Sequence, residues 1–211
     1  MSRTRVKICG ITRIEDALLA CELGGDAIGM VMTPSSPRCI SIERARRIRD
    51  ALPALVDTGV LTHGLDAAMV RAIIDGVQPD FVQFHGSEDA AFCESFRVRY
   101  LKAIGMDGDV DVHAIAAGHP RADGFVLDGH PPGQQGGRGR IFDWSRVPKD
   151  LDRPILLAGG LNADNVGDAI RAVRPWAVDL ASGVESSPGT KDAAKMRAFF
   201  AAVHAADAEV S

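Results

Sequence analysis

Two residues suited to proton transfer close short apolar runs: Cys9 ends Val6 to Cys9 (VKIC), and Asp128 ends Gly124 to Asp128 (GFVLD). A thiolate can act as a general base and a carboxyl as a general acid, provided the two face one pocket. Each also has a plainer reading. Free cysteine is among the most buried residue types, and an aspartate before Gly129 suits a turn. Lys7 can either favour a thiolate at Cys9 or pair with a carboxylate such as Asp179. Gln83 and His85, in VQFHGSE, end another apolar run, where His85 is either a proton-transfer group or a hydrogen-bonded structural histidine. Arg38, in TPSSPRCIS, is either a solvated loop residue or a bidentate receiver of a carboxylate.

Three glycine-containing stretches suit a phosphate: GGRG (Gly136 to Gly139), AGGLN (Ala158 to Asn162) and ASGVE (Ala181 to Glu185). Glycine lets backbone N–H groups approach an anion closely. The other five histidines show no triad or metal-ligand spacing, and the chain has no GxSxG, HExxH or Walker motif. Cys9, Cys21, Cys39 and Cys93 are scattered without a CxxC pair, which points to reduced thiols rather than a zinc site or disulfide framework.

Branched apolar runs recur between segments of helical period: RVKIC, DAIGMVM, ALVDTGVL, DFVQF, YLKAI, ADGFVL, PILLA and WAVDLA. Eight strands alternating with helices predict an α/β fold with a parallel sheet, and about eight units in roughly 200 residues predict a single (β/α)8 TIM barrel. A doubly wound sheet is the rival, but KICGITRIE lacks the GxGxxG fingerprint of its dinucleotide-binding forms. In a barrel strand, Val6 and Ile8 would face the helices and Lys7 and Cys9 the interior, as would Gly124, Val126 and Asp128. The periodicity places Ile14, Leu18 and Cys21 on one helix face, and Met69, Ala72 and Ile73 on another. Thr12 with Glu15 has capping-box spacing, and Ser87 and Asn162 are expected caps. Asp128 to Arg140 is too rich in glycine and proline for a helix and falls where this architecture carries functional loops.

At 46% hydrophobic and 25% charged residues, the 211-residue chain can bury a large core, and one domain over residues 1–211 is expected. A net charge of -4 argues against a general nucleic-acid binder. No apolar run approaches a membrane span, and MSRTRVKICG reaches a strand too early to hold a signal peptide, so a cytoplasmic protein is expected.

KICGIT, SPRCIS, VQFHGSE, FVLDG, GGRGRIFDW, LLAGGLNADNV and VDLASGVESSPGTKD, in this order along essentially the whole chain, resemble the phosphoribosylanthranilate isomerases of tryptophan biosynthesis. The resemblance implies a (β/α)8 barrel that works without metal or cofactor, as a monomer or homodimer, on a small phosphorylated aminosugar. It implies that Cys9 is the general base and Asp128 the general acid of an Amadori rearrangement. Arg38, Gln83, His85 and Asp179 are then the expected substrate-binding residues, with Arg38 near the anthranilate end. Gly137, Gly139, Gly159, Gly160, Ser182 and Gly183 are the expected phosphate-binding residues. The chain departs from the family in reading GGRG for GGTG, with Arg138 in place of threonine, and GVLTHGLD in strand three. Two other readings are an aminoaldose isomerase of histidine biosynthesis, whose paired aspartates and half-barrel repeat are missing here, and a non-catalytic sugar-phosphate barrel, which would need neither acid nor base.

Overall fold

The computed structural model describes residues 3–131 and 141–210. Eight parallel strands close into a barrel in chain order: β1 (Arg5–Ile8), β2 (Ala27–Val31), β3 (Asp57–Thr62), β4 (Phe81–Phe84), β5 (Arg99–Gly105), β6 (Gly124–Asp128), β7 (Ile155–Leu157) and β8 (Ala177–Leu180). The seam is the β8–β1 pairing, with Lys7 opposite Asp179. Helices α1 (Ile14–Glu22), α2 (Ile42–Ala51), α3 (Ala67–Val77), α4 (Ala90–Glu94) and α5 (Val112–Gly118) follow the first five strands. Between β6 and β7 the described residues hold a 3-10 turn, Trp144–Arg146, where the repeat would place an α-helix. Then come α6 (Val166–Val173), a second 3-10 turn (Ser182–Val184), the antiparallel hairpin β9 (Glu185–Ser187) and β10 (Thr190–Lys191), and α7 (Ala193–Val210). This is the expected (β/α)8 TIM barrel. No helix among the described residues is long and apolar enough to cross a membrane.

Strand parity sorts the side chains into two cores. Val6, Ile8, Ile28, Met30, Val60, Val82, Phe84, Phe125, Leu127 and Val178 face outward into one large cluster with the helices. Phe81, Leu101, Ala103, Val126, Leu156, Ala158 and Ala177 fill the interior. Cys9, Val31 and Leu61 form a small layer at the C-terminal rim. The interior plug seals the barrel below that rim, so polar groups above it are reached from one end.

The helix faces differ from the periodic expectation. In α1 the buried residues are Asp16, Ala17 and Ala20, and Leu18 is exposed. In α3 the buried stripe is Val70, Ile73, Ile74 and Val77, leaving Met69 and Ala72 outside. Both stripes are shifted from the predicted one because these apolar-rich helices offer more than one candidate face, and contact with the barrel selects among them. Strand β3 also begins later than ALVDTGVL suggests, since Leu55 sits fully exposed in a left-handed turn.

Four helices are capped by aspartates: Asp66 accepts from the Met69 N–H (2.8 Å), Asp89 from Phe92 (2.8 Å), Asp111 from Ala114 (2.9 Å) and Asp192 from Lys195 (3.0 Å). Asp89, not Ser87, therefore caps α4. The Thr12–Glu15 box does not form. Thr12 Oγ1 instead donates to the Gly189 carbonyl (2.5 Å) in the β9–β10 hairpin, and α1 starts one residue later without a side-chain cap. Asn162 holds the turn before α6, where its Oδ1 accepts from Asp164 and its N–H donates to Asn165.

Gly59 in β3 lies beneath the Phe81 ring, and a Cβ there would come within 2.3 Å of it. Gly59→Ala should therefore destabilise the fold by about 1–3 kcal/mol through overpacking. Thermal unfolding should show this as a fall of roughly 2–4 °C per kcal/mol.

Candidate active site

At the C-terminal rim, Cys9, Arg38, Gln83, His85, Asp128, Gly159, Gly160, Asp179, Ser182 and Gly183 line one open cavity of about 740 Å³. Every predicted site residue that is described lies in it. Gly137, Gly139 and Arg138 fall outside the described residues.

Cys9 is held by its backbone on both sides: its N–H donates to the Leu180 carbonyl (2.8 Å), and its carbonyl accepts from Lys191 Nζ (2.6 Å). Space for its thiol comes from β2, because a Cβ on Gly29 would lie 3.2 Å from both Cys9 Sγ and Lys7 Nζ. Burial pushes the Cys9 thiol above its ordinary pKa, and the opposing pull of the Lys7 ammonium is the smaller effect. Lys7 takes the second of its two sequence readings as well, since Nζ pairs with Asp179 Oδ2 at 2.7 Å. Burial works against that ammonium, yet the neighbouring carboxylate outweighs it and holds its pKa above the usual lysine value. The second oxygen, Asp179 Oδ1, is buried without a hydrogen-bond partner among the described residues. Burial also raises the Asp128 carboxyl, the effect reinforced by Asp179 and countered by His130.

The loop after β4 is fixed from below by a buried ion pair. Lys102 Nζ donates to the Gly86 carbonyl (2.5 Å) and to Glu88 (3.1 Å), while Glu88 accepts from the Gly64 and Gly86 N–H groups. Above it runs a chain of rings: Gln83 Nε2 lies 3.3 Å from His85 Nδ1, and His85 Nε2 lies 2.8 Å from His130 Nε2. His130 Nδ1 is 2.7 Å from the Pro131 carbonyl, which can only accept, so Nδ1 carries that ring's proton. His130 Nε2 then accepts from His85 Nε2–H, and His85 Nδ1 accepts from Gln83. Burial and the neighbouring His130 keep His85 well below the usual histidine range.

Arg38 receives a carboxylate bidentately, but it is one of the chain's own: Nε and Nη2 bind Glu185 at 2.9 and 2.7 Å. Its Nη1 makes no hydrogen bond among the described residues. Glu185 also accepts from Lys191 Nζ (3.0 Å), and Lys191 further donates to the Ala181 carbonyl (2.9 Å). Burial would raise the Glu185 carboxyl, yet Arg38 and Lys191 outweigh it and hold it below the usual range. Next to Glu185 the turns after β7 and β8 interlock. Gly159 and Gly160 take left-handed φ values of 85° and 69°, and a Cβ on Gly183 would collide with the Leu161 carbonyl at 1.9 Å.

The family profile described as N-(5′-phosphoribosyl)anthranilate (PRA) isomerase matches residues 6–202. The chain belongs to this family. It is 48% identical over 211 residues to the N-(5′-phosphoribosyl)anthranilate isomerase of Xanthomonas euvesicatoria, covering 97% of this chain and 95% of that one. The crystal structure of phosphoribosyl anthranilate isomerase from Thermus thermophilus superposes with a TM-score of 0.86 at 37% identity, over 96% of this chain and 99% of that one. Another isomerase of the family, crystallised in complex with reduced 1-(o-carboxyphenylamino)-1-deoxyribulose 5-phosphate, gives a TM-score of 0.84 at 37% identity, covering 96% and 99%.

Three residues of this family member's rim escape a reading of the sequence. Glu185 and Lys191 sit in the quoted SGVESSPGTKD stretch, but nothing local joins them to Arg38 and Cys9. His130 was grouped with histidines lacking any metal-ligand or triad context, which the structure corrects: its ring contacts His85, and both stand beside Asp128. Lys191→Met should remove the tie between the Cys9 and Ala181 carbonyls and strip one of the two cations from buried Glu185. Chemical denaturation should show a loss of roughly 3 kcal/mol, the scale for breaking a buried pair.

Proposed function

We propose that this chain, as one catalytic domain of tryptophan biosynthesis, converts N-(5′-phosphoribosyl)anthranilate into 1-(2-carboxyphenylamino)-1-deoxyribulose 5-phosphate by an Amadori rearrangement. The observation that carries the reading is a thiol and a partly exposed, burial-raised carboxyl lining one cavity at the barrel rim. Asp128, protonated, gives its proton to the ribose ring oxygen as the C1′–O bond breaks, leaving a Schiff-base cation and the Asp128 carboxylate. The cation acidifies C2′–H, and the Cys9 thiolate removes that proton to give an enolamine. Return of a proton to C1′ from Cys9, with loss of the enol O–H proton to Asp128, gives the ketone and restores both groups. The net change is an isomerisation.

The phosphate sits against the Gly159–Gly160 and Ser182–Gly183 turns, whose backbone is bare of side chains. Arg38 meets the anthranilate carboxylate through Nη1 and the remaining Nη2 N–H, because Glu185 already occupies the Nε–Nη2 edge. The unpartnered Asp179 Oδ1 accepts from a substrate hydroxyl. Gln83 and His85 complete the wall beside Asp128.

Freshly generated phosphoribosylanthranilate, followed by loss of its fluorescence against a no-enzyme control, tests the assignment. Cys9→Ala and Asp128→Asn should each lower kcat/KM by about 10²–10⁴-fold while leaving the protein folded. A variant that keeps nearly full activity removes that residue from the mechanism.

The pH dependence separates the two roles. In the wild type, each step in pH that forms the Cys9 thiolate also strips the Asp128 proton once that carboxyl titrates, so the profile flattens between the two pKa values. In Asp128→Asn only the thiol titrates. Its residual kcat/KM should climb about tenfold per pH unit up to the raised thiol pKa. A flat residual profile would show that Cys9 thiolate is not the base.

A further inference from the structure

His85, His130 and Asp128 bring one ligand atom each to within 4.8 Å of one another. We propose that these three side chains form a site for a divalent transition ion of the zinc type, and that occupying it blocks isomerisation by withdrawing Asp128 from proton transfer. The binding claim stands on geometry alone. Only its effect on turnover rests on the acid role proposed above.

Two imidazoles and one carboxylate match zinc, whereas magnesium and calcium prefer sets built from oxygen alone. Three protein ligands leave a fourth tetrahedral position open to the cavity. The Nε2 atoms of His85 and His130 are 2.8 Å apart. Two nitrogens on one tetrahedral zinc stand about 3.3 Å apart, so the rings need part by only about half an ångström.

His130 is already prepared for such a role. Its Nδ1–H is held by the Pro131 carbonyl, the outer-sphere contact that orients a ligating histidine and aims the Nε2 lone pair. Its own carbonyl accepts from the Asp107 N–H (3.2 Å). The main chain here lies against Gly105, where a Cβ would stand 2.5 Å from the His130 carbonyl oxygen. His130 is therefore fixed by backbone contacts independent of its partner ring.

His85 needs one change, and Gln83 supplies it. As a ligand, His85 must move its proton from Nε2 to Nδ1, where it requires an acceptor. Gln83 is 1% exposed, and its Oε1 has no hydrogen-bond partner among the described residues. If the amide turns over, Oε1 accepts from His85 Nδ1–H in place of the present contact to Nε2. One end of the amide is unsatisfied in either orientation, so the turn loses no hydrogen bond. Both Nε2 lone pairs then face Asp128, which binds as the carboxylate and releases its proton if it holds one. Without a cation between them these lone pairs would repel, so this arrangement belongs to the metal-bound state.

The test uses the full chain dialysed against EDTA, then titrated with Zn²⁺ by calorimetry and with Co²⁺ followed by its visible absorption. A single site is expected, giving the intense absorption of tetrahedral Co²⁺ and displaced by Zn²⁺. Affinity should fall by more than about tenfold in His130→Ala and in the isosteric Asp128→Asn, which leaves no cavity. Gly105→Ala, which displaces the His130 main chain without altering any ligating side chain, should also weaken binding. Absence of a site, or equal affinity in wild type, His130→Ala and Asp128→Asn, would overturn the proposal. In the fluorescence assay Zn²⁺ should inhibit the wild type reversibly, with EDTA restoring the rate, and His130→Ala should need more than about tenfold more Zn²⁺ for equal inhibition. An active enzyme that binds no Zn²⁺ refutes the metal site and keeps the isomerase. Zn²⁺ binding by a protein without isomerase activity keeps the site and refutes the catalytic reading.

Discussion

The rim depends on one buried ammonium. Lys191 Nζ donates to the carbonyls of Cys9, just beyond β1, and Ala181, just beyond β8, and so ties the two chain segments that leave the barrel at its closing seam. Its third bond, to Glu185, passes the constraint to Arg38, whose guanidinium is locked on the same carboxylate. A cation with 0% of its side chain exposed is tolerable only where every N–H finds an oxygen, and here each of the three does. The β9–β10 hairpin exists to carry this group into place. That requirement also explains why Thr12 serves the hairpin in preference to capping its own helix.

The same economy of space governs Cys9 and Asp128. Burial raises the thiol and the carboxyl alike, and the cations near each temper that rise without reversing it. Lys7 cannot act as a free ammonium toward Cys9 because Asp179 answers it at 2.7 Å. The pair is close to neutral as a unit, so its field at the thiol is that of a dipole, weaker than that of an isolated charge. Burial therefore outweighs the pull of the Lys7–Asp179 pair and leaves the thiol above its ordinary pKa.

The barrel was legible in the sequence because each strand carries its parity in three to seven residues: Lys7 and Cys9 inward against Val6 and Ile8 outward, and Asp128 inward beside Leu127 outward. Helix faces were less legible. A barrel helix is chosen by the sheet beneath it, and α1 and α3 each carry enough apolar residues to offer two stripes, as Leu18 and Met69 show. Of the contacts between distant segments only the Lys7–Asp179 pair, across 172 residues, could be read, because both residues fall inward on strands that close the barrel. His85 meets His130 across 45 residues, Arg38 meets Glu185 across 147, and Lys191 meets Cys9 across 182. No local period or spacing encodes such pairs. The glycines at 159, 160 and 183 could be read as a group because the fold fixes where the seventh and eighth turns fall.

Stability and chemistry are separated along the barrel axis. The lower interior is apolar and closely packed, from Phe81 to Leu156, and its atoms have no hydrogen bonds to satisfy. The layer above holds Lys7, Gln83 and Asp179, all at most 4% exposed, and leaves Gln83 Oε1 and Asp179 Oδ1 without partners among the described residues. Each such acceptor costs on the order of 1–3 kcal/mol in the free protein. A ligand that donates to one of them recovers part of that cost on binding, whereas water in the open cavity has to be displaced first. A ligand that donates to either acceptor therefore favours the filled rim, while the apolar plug beneath makes no such demand.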